Sequence, residues 1–378
     1  MSISIRSHRI AVSVIFFMFG LCFASWASRI PSIQENLALS DSTLGAVLFA
    51  LPSGLFISLF FSGWMIAKWS SRTVVLISAL SYGPLLICIG LANTTWTLGA
   101  VLFAFGFSGS LVNIAINVQA VGVEALAKRN LMASFHGMWS LAGFAGAAVG
   151  AFMIGRSIEP SRHFIVICII SLVVNAISFR FLLTKDPNSD SQRPVFTLPD
   201  KALLGLGITA FCSMVAEGAM FDWSGVYFQK VIKVEQRFIG VGYTSFMVAM
   251  AGTRFIADSL SHRFGLKKIL QVSGMLSATG LLLSVIFPFF IPATIGFFLV
   301  GMGVSSVVPL VYSQVGKSST LAPGAALAAV STLGFIGLLI GPPMIGIIAG
   351  ATSLRVSFII VACMAVAVTI LASTRAVK

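Results

Sequence analysis

Two carboxylates stand in an apolar stretch where a charge needs a reason. Glu217 is the only charged residue between Lys201 and Asp222, and Asp222 follows it by five positions. Inside hydrocarbon an ionisable group costs at least about 2.5–3.5 kcal/mol at mid-helix. Five residues turn a helix by about 140°, so the two carboxyls face different surroundings. Glu217, nearer the middle of the stretch, is the first candidate for a group that takes and releases a proton. Asp222 is the second. A carboxyl at either place would also serve as a hydrogen-bonded brace between helices, and the sequence leaves both readings open.

Other polar residues recur at helical spacing. Asn113 and Asn117 are four apart and share one helix face. Their amides suit hydroxyls or carboxylates without bringing charge, or they tie one helix to another. His136 and Trp139 are three apart, and a histidine near the inner end of a span is a candidate proton relay. Trp26, Trp139 and Trp223 are candidates to stack on a solute ring; as interfacial anchors they would need no solute at all. Arg254 and Asp258, four apart, are expected to pair along one face as a latch at the inner end of their helix. No metal-ligand spacing occurs, and Cys22, Cys88, Cys168, Cys212 and Cys363 are scattered singly as apolar fillers. No H-E-x-x-H, Walker loop or G-x-S-x-G occurs, so the chain is expected to be no enzyme, to hold no cofactor and to run on no nucleotide.

These residues must be carried by membrane helices. Only 9% of the chain is charged against 57% hydrophobic, with a mean hydropathy of +1.01, where soluble domains carry roughly a quarter charged residues. No charge falls between Arg72 and Glu124 or between Lys268 and Lys317. Each gap exceeds a single span of about 20 residues, so each holds two spans. Backbone polar groups in lipid need internal partners, which makes the spans helices. The fold class is an all-α polytopic membrane protein. Charges, prolines and glycine clusters divide it into twelve expected spans. They cover 10–34, 43–67, 73–93, 97–123, 131–155, 163–183, 202–229, 238–260, 266–287, 290–315, 323–349 and 354–374.

A net charge of +13 invites a nucleic-acid reading. The basic residues sit instead at the ends of apolar runs, with most on one side, so they report topology: both termini cytoplasmic in a bacterial-type inner membrane. The polar stretch with Pro187, Asp190, Pro194 and Pro199 reads as a linker at 185–201. It separates an N-terminal bundle, 1–184, from a C-terminal bundle, 202–378. The halves repeat. Gly143–Gly155 and Gly334–Gly346 agree at seven of thirteen positions with an offset of 191, Gln119 matches Gln314, and Trp26 matches Trp223.

Two six-helix bundles with cytoplasmic termini and a polar linker resemble the major facilitator superfamily, which is itself a standing example of internal repeats. The loop Gly63–Arg72 resembles a worn copy of the family's G-x-x-x-D-R-x-G-R-R loop, with Ala67 where Asp is usual. Arg254, Asp258, Arg263, Gly265, Lys267 and Lys268 resemble a better preserved second copy. Gly337-x-x-x-Gly341-Pro342 resembles the Gly-Pro motif of antiporters. Arg29-Ile30-Pro31, Ser134–Ser140 and Glu217–Ser224 are similar to the MosC/YbjJ-like group, relatives of the fucose permeases.

The resemblance implies a secondary transporter working by alternating access, with the first and seventh spans lining a common cavity. On that footing Arg29 becomes either a gating partner for Asp222 or a side chain that only snorkels to the outer headgroups. The acidic residues that fucose-permease relatives use for proton coupling in the first and fourth spans have no counterpart here, so that mechanism does not carry over to this chain. The expected cargo is a small polar solute such as a sugar, polyol or related metabolite, moved with protons by a monomer in the lipid bilayer. An exporter of amphipathic compounds, suggested by 32 Phe, and a receptor or scaffold that has lost transport are the alternatives.

Overall fold

The computed structural model describes residues 4–128, 131–186, 201–318 and 323–373. Among them the regular structure is entirely helical. The α-helices are α1 (Ile5–Asn36), α2 (Asp41–Leu48), α3 (Ala50–Leu91), α4 (Thr95–Ala127), α5 (Met132–Gly155), α6 (Pro160–Phe179) and α7 (Lys201–Tyr227). They continue with α8 (Val241–Phe264), α9 (Leu266–Ile286), α10 (Phe290–Val304), α11 (Val307–Ser318), α12 (Pro323–Ala351) and α13 (Leu354–Ser373).

Among the described residues ten helical segments are long and apolar enough to cross a membrane, where the sequence leads us to expect twelve. Two features account for the difference. The 51-residue segment Asp41–Leu91 is one of the ten, yet it is broken at Ser70, whose φ of 68° and ψ of 153° are not helical. Val241–Phe264 is not among the ten, because Arg254, Asp258 and Arg263 lower its hydropathy. The expected tenth span is itself two helices, α10 and α11, interrupted at Ser305 and Ser306.

The breaks have local causes. Ser70 occupies a backbone region that is essentially reserved for glycine. Gly265, between α8 and α9, adopts nearly the same angles, φ 81° and ψ 149°. The Ser71 amide that opens the second rod of α3 donates to Asp186 Oδ2 at 2.7 Å, and the Ser71 hydroxyl donates to Asp186 Oδ1. Asp186 thus caps a helix start that would otherwise leave N–H groups without partners. Glu124 does the same for α5, accepting from the amides of Leu131 at 2.5 Å and Met132 at 2.8 Å.

The chain divides into two compact units, Met1–Leu37 with Ala50–Gln192, and Ala38–Phe49 with Arg193–Lys378. In the first unit α1 packs on α5 and α6, and α3 packs on α4 and α6. In the second, α7 packs on α12 and α13, α8 packs on α10, and α9 packs on α10 and α13. The pairings of the first unit therefore recur in the second. Small residues make the shared contacts close. A Cβ on Gly146 would fall 2.6 Å from the Ala24 Cβ, and one on Gly337 would fall 2.5 Å from the Phe211 carbonyl oxygen. Those glycines stand in the repeated thirteen-residue segments, so the repeat encodes backbone approach.

The short helix α2 falls in the second unit, although the expected division at residue 184 assigns it to the first bundle. Gly45 lets it lie against α12: a Cβ there would sit 2.8 Å from the Gly346 Cα. Asp41 Oδ1 is 2.5 Å from Lys230 Nζ. The proposed linker at 185–201 lies largely outside the described residues.

Candidate transport site

Glu217 projects from α7 and meets Arg254 of α8. Arg254 Nη2 donates to Glu217 Oε1 at 3.4 Å, and its Nε donates to the Ser305 carbonyl at 3.2 Å. The Ser305 carbonyl is available because the helix is interrupted between α10 and α11, so it is one of the terminal carbonyls without an intrahelical partner. The side chains are 13% exposed for Glu217 and 25% for Arg254, which leaves the pair half-open. Tyr312 of α11 lies near enough to Glu217 to feel its charge. Its hydroxyl is 3.6 Å from where a Cβ on Gly334 would be. One carboxylate, one guanidinium and one phenol thus converge from α7, α8 and α11.

This arrangement gives Arg254 a partner that its spacing does not suggest. Its sequence neighbour Asp258 is the partner suggested by spacing, but the Asp258 side chain lies outside the described residues. The guanidinium reaches across to α7 and to the α10–α11 break, which sets Arg254 beside the candidate proton carrier.

Asp222, one turn and a half along α7, is partly buried. Arg29 is buried, at 2% exposure. Its Nε donates to His163 Nδ1 at 3.2 Å and its Nη2 to the Ile158 carbonyl at 2.5 Å. These two donors of Arg29 are thus engaged within the first unit. His163 must carry its proton on Nε2 to accept at Nδ1.

The remaining candidates separate into two groups. Asn113 and Asn117 are half-buried, and Asn117 Nδ2 donates to the Asn113 carbonyl at 2.7 Å and to its Oδ1 at 3.1 Å. The two amides share a face as their spacing requires. His136 is exposed on α5 and stands edge-on to Phe16 at 5.3 Å, and half-buried Trp139 is tilted against Phe23 at 6.2 Å. Trp26 and Trp223, in contrast, are 1% and 0% exposed. Neither indole offers a face to a solute, so the expectation that they stack on cargo gives way to packing.

Three participants escape the sequence reading. His163 takes the donor of Arg29, Tyr312 completes the Glu217 cluster, and Asp186 replaces the missing loop carboxylate near Ala67 by capping Ser71. Gln119 is joined to the same corner: its Nε2 donates to the Ser71 hydroxyl at 2.7 Å, and its Oε1 accepts from the Leu183 amide at 2.7 Å. The only signal for His163 is its place at the start of an apolar run. Among the described residues no group of three or more His, Cys, Asp or Glu is placed to hold a metal ion.

The chain is similar to known proteins along its whole length. It is 30% identical over 371 residues to an uncharacterised MFS-type transporter of Yersinia pestis, covering 98% of this chain and 96% of that one. It is 29% identical over 344 residues to membrane protein MosC of Rhizobium meliloti, covering 91% and 84%. The crystal structure of the nucleoside transporter NupG matches 97% of this chain and 100% of its own, with a TM-score of 0.73 and 16% identity. At that identity the match speaks for the fold alone. The family model of the Major Facilitator Superfamily matches residues 12–320 and 206–376. The chain is a multi-pass membrane protein and belongs to the Major Facilitator Superfamily.

Proposed function

We propose that the chain is a proton-coupled secondary transporter that moves a small polar solute by alternating access. The observation that carries this reading is the half-open pair of Glu217 and Arg254, the former 13% and the latter 25% exposed. A carboxylate in that setting changes its interactions strongly when it gains a proton, because its neighbour is a permanent cation. Asn113, Asn117 and Trp139 supply uncharged hydrogen-bonding and stacking groups for a sugar, polyol or related metabolite, and His136 and Asp222 remain candidates to pass protons. Arg29 and Asp222 stay candidates for closing the outer side.

The same reading takes the chain across the bilayer twelve times, counting the two rods of the segment broken at Ser70 and the charged helix Val241–Phe264. It sets both termini in the cytoplasm of a bacterial-type inner membrane and treats the working unit as a monomer. Purified protein in liposomes loaded with a pH-sensitive dye tests it. A gradient of cargo, sought among glucose, fucose, mannitol, uridine and gluconate, should acidify the lumen as cargo enters. Cargo entry with no proton movement refutes the coupling, and absence of entry for every solute favours the receptor or scaffold alternative.

A further inference from the structure

We propose that the corner of the first unit where α1, the second rod of α3 and the end of α6 meet is a binding site for an anionic phospholipid of the phosphatidylglycerol type. Its phosphate sits among Arg9, Arg180 and Lys185, and an acyl chain lies along α6.

Bonds to the end of α6 bring the three helices together. From α1, His8 Nδ1 donates to the Phe181 carbonyl at 2.6 Å. From the second rod of α3, Arg72 Nη2 donates to the Phe179 carbonyl at 3.4 Å, and the guanidinium lies 4.5 Å from the centre of the Phe179 ring. Chain connectivity then brings the other cations to the same corner, since consecutive Cα atoms are only about 3.8 Å apart. Arg9 follows His8, and Arg180 stands between Phe179 and Phe181. Lys185 precedes Asp186, which caps Ser71 beside Arg72. Ile5 opens one segment apolar enough to cross a membrane and Phe179 closes another. The corner therefore stands where hydrocarbon gives way to headgroups.

These cations are not consumed by the protein. Basic side chains at a helix end often serve its last carbonyls. At the end of α6 those of Phe179 and Phe181 already accept from Arg72 and His8, and that of Ser178 accepts from the Phe181 amide. The side chains of Arg9, Arg180 and Lys185 make no hydrogen bond or ion pair with another described residue. Arg180 and Lys185 are exposed and Arg9 is half-buried. The nearby carboxylates are spent on helix starts. Asp186 accepts from the amide and hydroxyl of Ser71, and Glu124, at the end of α4, accepts from the Leu131 and Met132 amides. Asp190 and Asp200 lie outside the described residues. Guanidinium forks match the oxygens of a phosphodiester, and clustered cations at a bilayer surface attract anionic headgroups.

The apolar surface beside the corner selects a lipid over a free anion. Val166, Ile170, Val173, Ile177 and Phe181 are all exposed, and their spacing of three and four residues makes one stripe along α6. The opposite side of α6 packs on α1 and α3. The stripe ends at Arg180, so a chain lying on it delivers its phosphate to the cations.

The test titrates the full chain in dodecyl maltoside with dioleoyl-phosphatidylglycerol or dioleoyl-phosphatidylcholine and counts retained lipid by native mass spectrometry. One phosphatidylglycerol should be held at concentrations where no phosphatidylcholine is. Arg180→Gln combined with Lys185→Gln should weaken it by about twentyfold, roughly fivefold for each cation lost near a membrane surface. Arg156→Gln combined with Arg162→Gln removes the same charge beside the start of α6, and should change the affinity by less than about twofold. Glycerol 3-phosphate in tenfold excess, which offers the anion without the chains, should not compete. Each variant is checked by a thermal melt, and Arg180→Gln alone, with a loss of about fivefold, carries the test if the corner double variant does not fold.

Equal retention of the two lipids overturns the proposal. So does an equal loss from the two double variants, which would mean a diffuse attraction to net charge. Competition by glycerol 3-phosphate overturns it as well, because the corner would then be a site for a soluble anion.

Discussion

A double-mutant cycle on Glu217 and Arg254 measures how strongly the site is coupled. At 3.4 Å, unit charges attract by about 5 kcal/mol for an effective dielectric constant near 20. Desolvation of the two groups offsets much of that. The pair is partly open to water, and the distance is long for a charge-assisted bond. A net coupling of about 1–3 kcal/mol follows. The variants are Glu217→Gln, Arg254→Met and the combination, followed by tryptophan fluorescence during unfolding in mixed micelles. Arg254→Met should be the costlier single change near neutral pH, because it leaves a carboxylate without its cation, and part of that cost should disappear when the medium is acidified. The combined variant should be more stable than the sum of the singles implies. Additivity of the two singles within about 0.5 kcal/mol would show that the groups act independently, and the reasoning on the site would fail.

Three further changes probe the scaffold. Ser70→Gly should stabilise the chain by about 1 kcal/mol by relieving a backbone region that suits glycine, and Gly265→Ser should cost a similar amount; thermal melts in detergent would refute this if the two signs did not oppose. Asp186→Ala removes both bonds to Ser71 and should cost about 1–3 kcal/mol, as for a buried donor left without its acceptor; an unchanged melt would show that the cap is dispensable. Gly146→Leu should lower stability by at least about 1–3 kcal/mol through overpacking at Ala24, with Gly63→Leu, whose Cβ meets nothing within 4 Å, as the neutral control.

The sequence is most informative where a residue's own surroundings decide its role. A carboxyl in an apolar stretch marks Glu217 whatever its partner, and glycines repeated at an offset of 191 mark the faces where α1 meets α5 and α7 meets α12. It is least informative where partners are set by the rotation of one helix against another. Spacing offers Asp258 to Arg254, four residues away, but gives no sign of the bond to Glu217, 37 residues away. Arg29 likewise turns to His163, 134 residues distant, a contact fixed by how α6 begins. Trp26 and Trp223 are matched in the repeat and look like cargo contacts, but repeat symmetry cannot distinguish a lining residue from a packed one. The departure of α2 from its expected bundle is also invisible locally. It depends on Gly45 finding Gly346, far along the chain in α12.

Gradient-driven accumulation compared with equilibrium exchange in Glu217→Gln tests the transport account most directly, using whichever solute the liposome assay identifies as cargo. A variant locked in the neutral form should still exchange labelled for unlabelled cargo across the membrane, yet fail to accumulate it when an inward proton gradient is imposed. Accumulation at the level of the unaltered protein would contradict the account, because the proton would then be travelling by another group.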